Sequence, residues 1–205
     1  MKEMSEIKGL LIVFEGIDQS GKSSAAKRVK ELLKEEVIIQ SFPDRTTETG
    51  KFIDKYLHDK TSKIPQQVIH LLYSANRWEV MNKIQEHIQN GVNVICDRYT
   101  YSGLVYSIAN GLDKDWCCVS DKGLPEPDLV IYFDLSLDEA ERRRRTLSRD
   151  VDNYENIEFQ TKVKHIYDEL RSELDWVTID ANVDQETLAK NIINVIESLN
   201  SSIEK

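Results

Sequence analysis

Eight residues constrain this chain more than anything else in it: Gly16-Ile17-Asp18-Gln19-Ser20-Gly21-Lys22-Ser23. They fit the pattern G-x-x-x-x-G-K-[ST] and sit between the apolar run Gly9–Glu15 and a segment of helical period that begins at Lys22. The apolar run shows no polar alternation, so it reads as a strand buried on both faces. The glycines let the backbone wrap an anion, with N–H groups and a helix N-terminus aimed at phosphate oxygens. Lys22 brings a point charge to the β and γ phosphates, and the Ser23 hydroxyl can ligate Mg²⁺. A chance glycine turn would produce this pattern in fewer than about one chain in a hundred of this length. The expected ligand is a nucleoside triphosphate.

The rest of the chain repeats the same alternation. Further strands are expected at 37–42, 92–96, 129–133 and 176–179. Helices are expected at 22–35, 65–89, 99–108, 137 to about 147, 155–174 and 184–199. Pro65 opens the longest helix, and Asn90-Gly91 closes it. Ser136 with Glu139 has the spacing of a capping box. The segments near Lys60 and from Asp113 to Pro127 read as irregular. Strand–helix alternation implies right-handed crossovers and a parallel sheet covered on both faces. The expected fold is thus α/β: a three-layer P-loop NTPase fold with a five-stranded parallel sheet flanked by helices. Ligands should gather at the carboxyl ends of the strands.

Composition narrows the function. The 205 residues suit one domain, read here as 1–205. With 27 basic and 36 acidic residues the net charge is −9, a field that repels a long phosphate polymer and argues against nucleic-acid binding. Cys96, Cys117 and Cys118 lack disulfide or zinc spacing, and reduced thiols are expected. The charged start, Met1 to Lys8, and the short apolar run after it suggest neither a signal peptide nor a membrane span. A cytoplasmic location is expected, with the nucleus also possible.

A phosphate loop serves kinases, motors and GTPases alike. The guanine-reading N-K-x-D is missing: the only Asn-Lys is Asn82-Lys83-Ile84-Gln85, within a helix. A motor would end a strand in Asp-Glu, whereas Cys96 is followed by Asp97-Arg98. An arginine there suits a clamp on a transferring phosphoryl group. A small kinase is expected.

With these residues the chain resembles the thymidylate kinase family from about Phe14 to Asp180. The resemblance rests on Phe42-Pro43-Asp44-Arg45-Thr46-Thr47-Glu48-Thr49-Gly50, on His70 to Glu79, on Asp97-Arg98-Tyr99-Thr100-Tyr101-Ser102-Gly103, and on Gly123-Leu124-Pro125-Glu126-Pro127-Asp128-Leu129. Eukaryotic and poxviral members look nearest, notably through Asp115-Trp116-Cys117. The resemblance implies transfer of the γ-phosphoryl of ATP to dTMP, with Mg²⁺ as cofactor and a homodimer built on the 65–89 and 99–108 regions. A kinase for another deoxynucleotide or deoxynucleoside, or a nucleotide-binding regulator without turnover, stays open as an alternative.

It also implies roles by position. ATP would be held by Gly16, Ile17, Asp18, Gln19, Ser20, Gly21, Lys22, Ser23 and Ser24, with Arg143 against the adenine. Arg45 and Arg98 would clamp the acceptor phosphate, in the bidentate geometry that suits arginine. Asp18 would hold the acceptor's 3′-hydroxyl and Arg45. Tyr73 and Arg77, spaced i, i+4 on one helix face, would stack on thymine and bond a base carbonyl. Phe42 would wall that pocket, Ser102 would contact the base and Tyr106 would pack beneath the sugar, crowding a 2′-hydroxyl. Ser23 would ligate the metal and Asp97 its water shell.

The segment from about 142 to 155 carries five arginines between 142 and 149 and reads as a cationic lid. Vertebrate-type members have arginine at position 19 of the loop; here the residue is Gln19. A compensating lid arginine is expected, Arg149 first and Arg145 second, with Glu155 near the acceptor. The four histidines, His58, His70, His87 and His165, are expected on polar helix faces.

Overall fold

The computed structural model describes residues 8–146, Tyr154 and residues 156–203. Five parallel strands form one sheet: β1 (Leu11–Glu15), β2 (Val37–Ser41), β3 (Asn93–Asp97), β4 (Leu129–Asp134) and β5 (Val177–Asp180), in the order β2-β3-β1-β4-β5. Each lies within two residues of the run expected from sequence. Among the described residues eight helices cover it: α1 (Lys22–Leu32), α2 (Glu48–His58), α3 (Gln66–Gln89), α4 (Thr100–Ala109), α5 (Lys114–Val119), α6 (Leu137–Arg145), α7 (Ile157–Glu173) and α8 (Gln185–Ile203).

The central strand shows why three layers form. Every residue of β1 is buried, and its side chains divide by parity as a pleated strand requires. Ile12 and Phe14 pack with Ala25, Val29, Val163 and Ile192 from α1, α7 and α8. Leu11 and Val13 face the other way, onto Met81, Ile84 and Ile88 of α3. A strand with two buried faces reads as an apolar run, broken here only by its last residue, Glu15. Cys96 packs in that second layer with no exposed surface, and all three cysteines are free.

Two helices were not expected. The sequence reading assigns no helix to residues 48–58, yet Thr47 caps α2 by accepting the N–H of Gly50 at 3.1 Å. Ile53, Tyr56 and Leu57 of α2 are buried, an i, i+3, i+4 face that the glycine in its first turn obscured. Likewise α5 interrupts the segment from Asp113, whose carboxylate accepts the N–H of Trp116 at 2.8 Å; six residues are too few to show a period. The capping box at Ser136 is half formed. Its hydroxyl accepts the N–H of Glu139 at 3.3 Å, but the Glu139 carboxylate turns to Arg142 and Arg143.

Strand register then positions the site. Phe14 of β1 and Ser41 of β2 both pair with Asp97 of β3. The three strands therefore end level, and the residues that follow them, Gly16, Phe42 and Arg98, share one rim. Because β1 leads to β2 across the place of β3, and β3 leads to β4 on the other side, this rim lies at the switch point of the sheet. Among the described residues no helix is long and apolar enough to cross a membrane.

Candidate active site

A cleft of about 560 Å³ opens on that rim, within the range of a pocket for a small molecule. One end is the phosphate loop. Gly21 precedes α1 with φ 89°, a left-handed conformation, and α1 has no side-chain cap, so its first N–H groups are left for an anion. A β-carbon at Gly21 would stand 2.9 Å from Nε2 of Gln185. The Lys22 ammonium curls back over the loop, donating to the Gly16 carbonyl at 3.1 Å, the Ile17 carbonyl at 2.8 Å and the Ser20 hydroxyl at 3.0 Å. Burial, and then repulsion from Arg98, pull its pKa down to about 7. Beside it the Ser23 hydroxyl donates to Oδ2 of Asp97, and Ser24 also lines this end.

Arg98 dominates the middle. Its backbone is left-handed, at φ 71°. One terminal nitrogen donates to the Gly16 carbonyl and to the Ser102 hydroxyl, each at 3.0 Å, and the other to Oδ1 of Asp18. The guanidinium lies 5.1 Å from the centre of the Tyr106 ring. Burial opposes this charge, but the Tyr106 oxygen and Asp18 outweigh it and hold the group protonated. Asp18 is fixed from a side that the sequence did not reveal. Its N–H donates to Oε1 of Gln160 at 2.9 Å, and Nε2 of Gln160 donates to its Oδ2 at 2.7 Å. Gln160 lies 142 residues away on α7, and nothing local in sequence marks it.

The far end is a slot between α3 and α4. Phe42, Tyr73 and Arg77 line it together, as do Gln66, His70 and Ser107. Arg77 is buried and bound to Asp121 by two hydrogen bonds, 3.2 Å from Nε to Oδ1 and 2.6 Å from NH2 to Oδ2. Gly103 makes this possible, since a β-carbon there would come within 2.8 Å of the Arg77 guanidinium.

Four expectations change. Arg45 lines the cleft but pairs with Asp54 of α2 at 2.6 Å, not with Asp18, which Arg98 has taken. The pair is half exposed and so worth at most about 1 kcal/mol, weak enough for a phosphate to displace. Ser102 lines the cleft, yet its hydroxyl is committed to Glu15, Arg98 and Tyr167 rather than turned to a base. Arg145 points to solvent and pairs with Glu141; it does not reach the cleft. His70 is buried, not on a polar face. Its ring bonds the Ser107 hydroxyl at 2.7 Å and, at 3.0 Å each, the Cys117 carbonyl and the Ser120 hydroxyl. These partners come from α4, α5 and the turn after α5, which explains why its surroundings were not legible.

Arg143 stands where the lid begins. It donates to the Gln19 carbonyl at 3.1 Å and the Ala181 carbonyl at 2.8 Å, while Glu139 holds its Nε at 2.7 Å. It thus borders the phosphate loop at the donor end. Arg149 and Glu155 lie outside the described residues. Tyr154, between them in sequence, stacks on Phe159 and meets Tyr106 edge-on with centroids 5.8 Å apart.

Comparison with known proteins points the same way. The family model described as thymidylate kinase matches residues 14–192. A thymidylate kinase of Dictyostelium discoideum is 40% identical over 195 residues, covering 93% of this chain and 86% of that protein. A putative thymidylate kinase of Invertebrate iridescent virus 6 is 43% identical, covering 94% and 90%. Among solved structures, the Candida albicans thymidylate kinase, described as having broad substrate specificity and a novel structural element, superposes with a TM-score of 0.84. It is 35% identical, with 93% of this chain and 92% of that one covered.

Proposed function

The chain belongs to the thymidylate kinase family and transfers the γ-phosphoryl group of ATP to dTMP, giving ADP and dTDP; we propose that it does so by direct in-line transfer within the single cleft described above. One observation carries this reading: the phosphate loop with Lys22 and the cations Arg98 and Arg45 line the same cavity. A phosphoryl group passed between two anions needs a positive grip on each and the two held in line.

The roles follow from position. The loop amides and Lys22 hold the donor's β and γ phosphates, and Arg143 borders the nucleotide at that end. Arg98, with Arg45 once released from Asp54, holds the acceptor phosphate. An oxygen of that phosphate attacks the γ phosphorus while the bond to the bridging β–γ oxygen breaks, and its electron pair leaves on ADP. Asp18, oriented by Gln160 and Arg98, lies beside the sugar, and Tyr106 packs below it. Tyr73, Phe42 and Arg77 enclose the base. The Ser23 hydroxyl and Asp97 carboxylate form a hard oxygen pair suited to Mg²⁺, which would neutralise charge on the donor oxygens. Two such ligands are too few for a cage, so phosphates and water would complete the shell. Arg149 in the lid remains our choice for the cation that Gln19 cannot supply. If Arg149→Ala keeps wild-type kcat, that assignment is wrong.

ADP release measured across dTMP, dUMP, dGMP and thymidine tests the whole assignment. Turnover with dTMP and none with thymidine is expected. Turnover with thymidine alone would overturn the acceptor, and binding without turnover would support a regulator. We also propose a homodimer. Of the nine large apolar side chains exposed among the described residues, five, Val68, Leu71, Trp78, Trp116 and Val119, lie on α3 and α5, and α4 adds none.

A further inference from the structure

We propose that the buried carboxylate of Glu15 is a positioning residue: it sets the direction in which Arg98 presents its guanidinium to the acceptor phosphate. Glu15 ends β1 and has no exposed surface. An ion buried this way is tolerated only when donors surround it, and four do. Oε1 accepts the backbone N–H of Tyr99 at 3.0 Å and of Ser102 at 3.1 Å. Oε2 accepts the hydroxyls of Ser102 at 2.5 Å and of Tyr167 at 2.7 Å.

Two of these donors open α4, whose N-cap residue Tyr99 makes no side-chain cap. Glu15 therefore caps α4 from the neighbouring strand, bringing negative charge to the positive end of the helix. Only Arg98 and Tyr99 lie between the end of β3 and the start of α4. Their amides are tied on both sides, Arg98 N–H to the Phe14 carbonyl at 3.0 Å and Tyr99 N–H to Glu15. With both ties made, Arg98 holds its φ of 71°, a conformation that costs a residue with a side chain about 1 kcal/mol or more. It persists because the carboxylate and the strand hold its neighbours.

The same carboxylate reaches the guanidinium through one hydroxyl. Ser102 gives its proton to Glu15, which leaves oxygen lone pairs to accept from Arg98. Glu15 thus fixes the backbone of Arg98 and one of its side-chain partners while lying outside the cleft lining.

This inference rests on the role assigned to Arg98 above, so the test separates the two. Glu15→Gln keeps the shape and the acceptor for both backbone amides. Its Nε2, however, places N–H groups where the Ser102 and Tyr167 protons now point. The expected result is a fall in kcat of about 10²-fold or less, a rise in KM for dTMP, and a KM for ATP within about two-fold of wild type. Tyr167→Phe removes one donor to Glu15 and one contact of the Ser102 hydroxyl, but keeps the Glu15 ties to the Tyr99 and Ser102 amides and the Ser102–Arg98 bond. It should lower Tm while leaving kcat within about three-fold. In a double-mutant cycle, Arg98→Ala with Glu15→Gln should be no slower than Arg98→Ala alone. Multiplying effects, or wild-type kcat and KM in Glu15→Gln, would overturn the proposal. Wild-type kinetics in Arg98→Ala alone would instead refute the role of Arg98. If Glu15→Gln fails to fold, Ser102→Ala enters the same cycle, with the same non-additivity expected and the same multiplication overturning it.

Discussion

Lys22 enters the reaction with a lowered proton affinity. With its pKa pulled down to about 7 by burial, Lys22 exchanges its proton in the neutral pH range when no nucleotide is bound. Phosphate oxygens favour the charged form, so binding a non-hydrolysable ATP analogue at pH 7 to 8 should take up a proton. Calorimetry in buffers of different ionisation enthalpy reads this directly, and an equal heat in all buffers would refute it. The sign for stability is opposite. Between about 7 and the ordinary value of 10.5, the unfolded chain keeps a proton that the folded chain has released, so nucleotide-free stability should rise with pH across that window. Arg77 offers a second test at this scale. Its partner Asp121 is nearly as buried as it is, so Asp121→Ala strands a charge and should cost about 3–5 kcal/mol. Tm should drop by more than about 6 °C, with a higher KM for dTMP.

Helix α6 joins two jobs that respond to different substitutions. Its N-terminus depends on the Ser136 hydroxyl, and Ser136→Ala should remove about 1 kcal/mol, or about 2–4 °C in Tm. Its C-terminal turn depends on Glu139, which holds Arg142 and Arg143. Those arginines in turn hold the Glu139 carboxyl down at about 2. The ion pairs lie near the surface, so Glu139→Ala should barely move Tm. It should still raise KM for ATP several-fold, because Arg143 loses one of the contacts that keep it beside the phosphate loop. A change in Tm without a change in KM would show that Arg143 has no part in nucleotide binding. Element boundaries tell a related story. Long helices are plain in the sequence, α3 from its length between Pro65 and Asn90-Gly91 and α8 from its apolar period. By contrast α2 and α5 exist because Thr47 and Asp113 cap them and the neighbouring helices bury one side, and a short amphipathic stretch does not announce that.

For the whole molecule, the exposed apolar side chains on α3 and α5 are the surface that the proposed dimer would cover. Leu71→Glu with Trp78→Glu should give a folded monomer by light scattering if that surface is the dimer interface, and a wild type that is itself monomeric would remove the proposal. The sequence alone settled the phosphate loop, the strand–helix alternation and hence the parallel sheet, because those depend on residues a few positions apart whose spacing is itself the signal. It also placed Phe42, Tyr73, Arg77 and Arg98 on the cleft, since a motif carries its position in the fold with it. Who bonds whom across the cleft was decided elsewhere. Gln160 on Asp18, Asp121 on Arg77, Asp54 on Arg45 and Glu15 on Ser102 are pairs separated by 142, 44, 9 and 87 residues. In each pair a donor has more than one acceptor that the sequence would allow, and only the packing of α2, α4 and α7 against the sheet brings one of them within hydrogen-bonding distance.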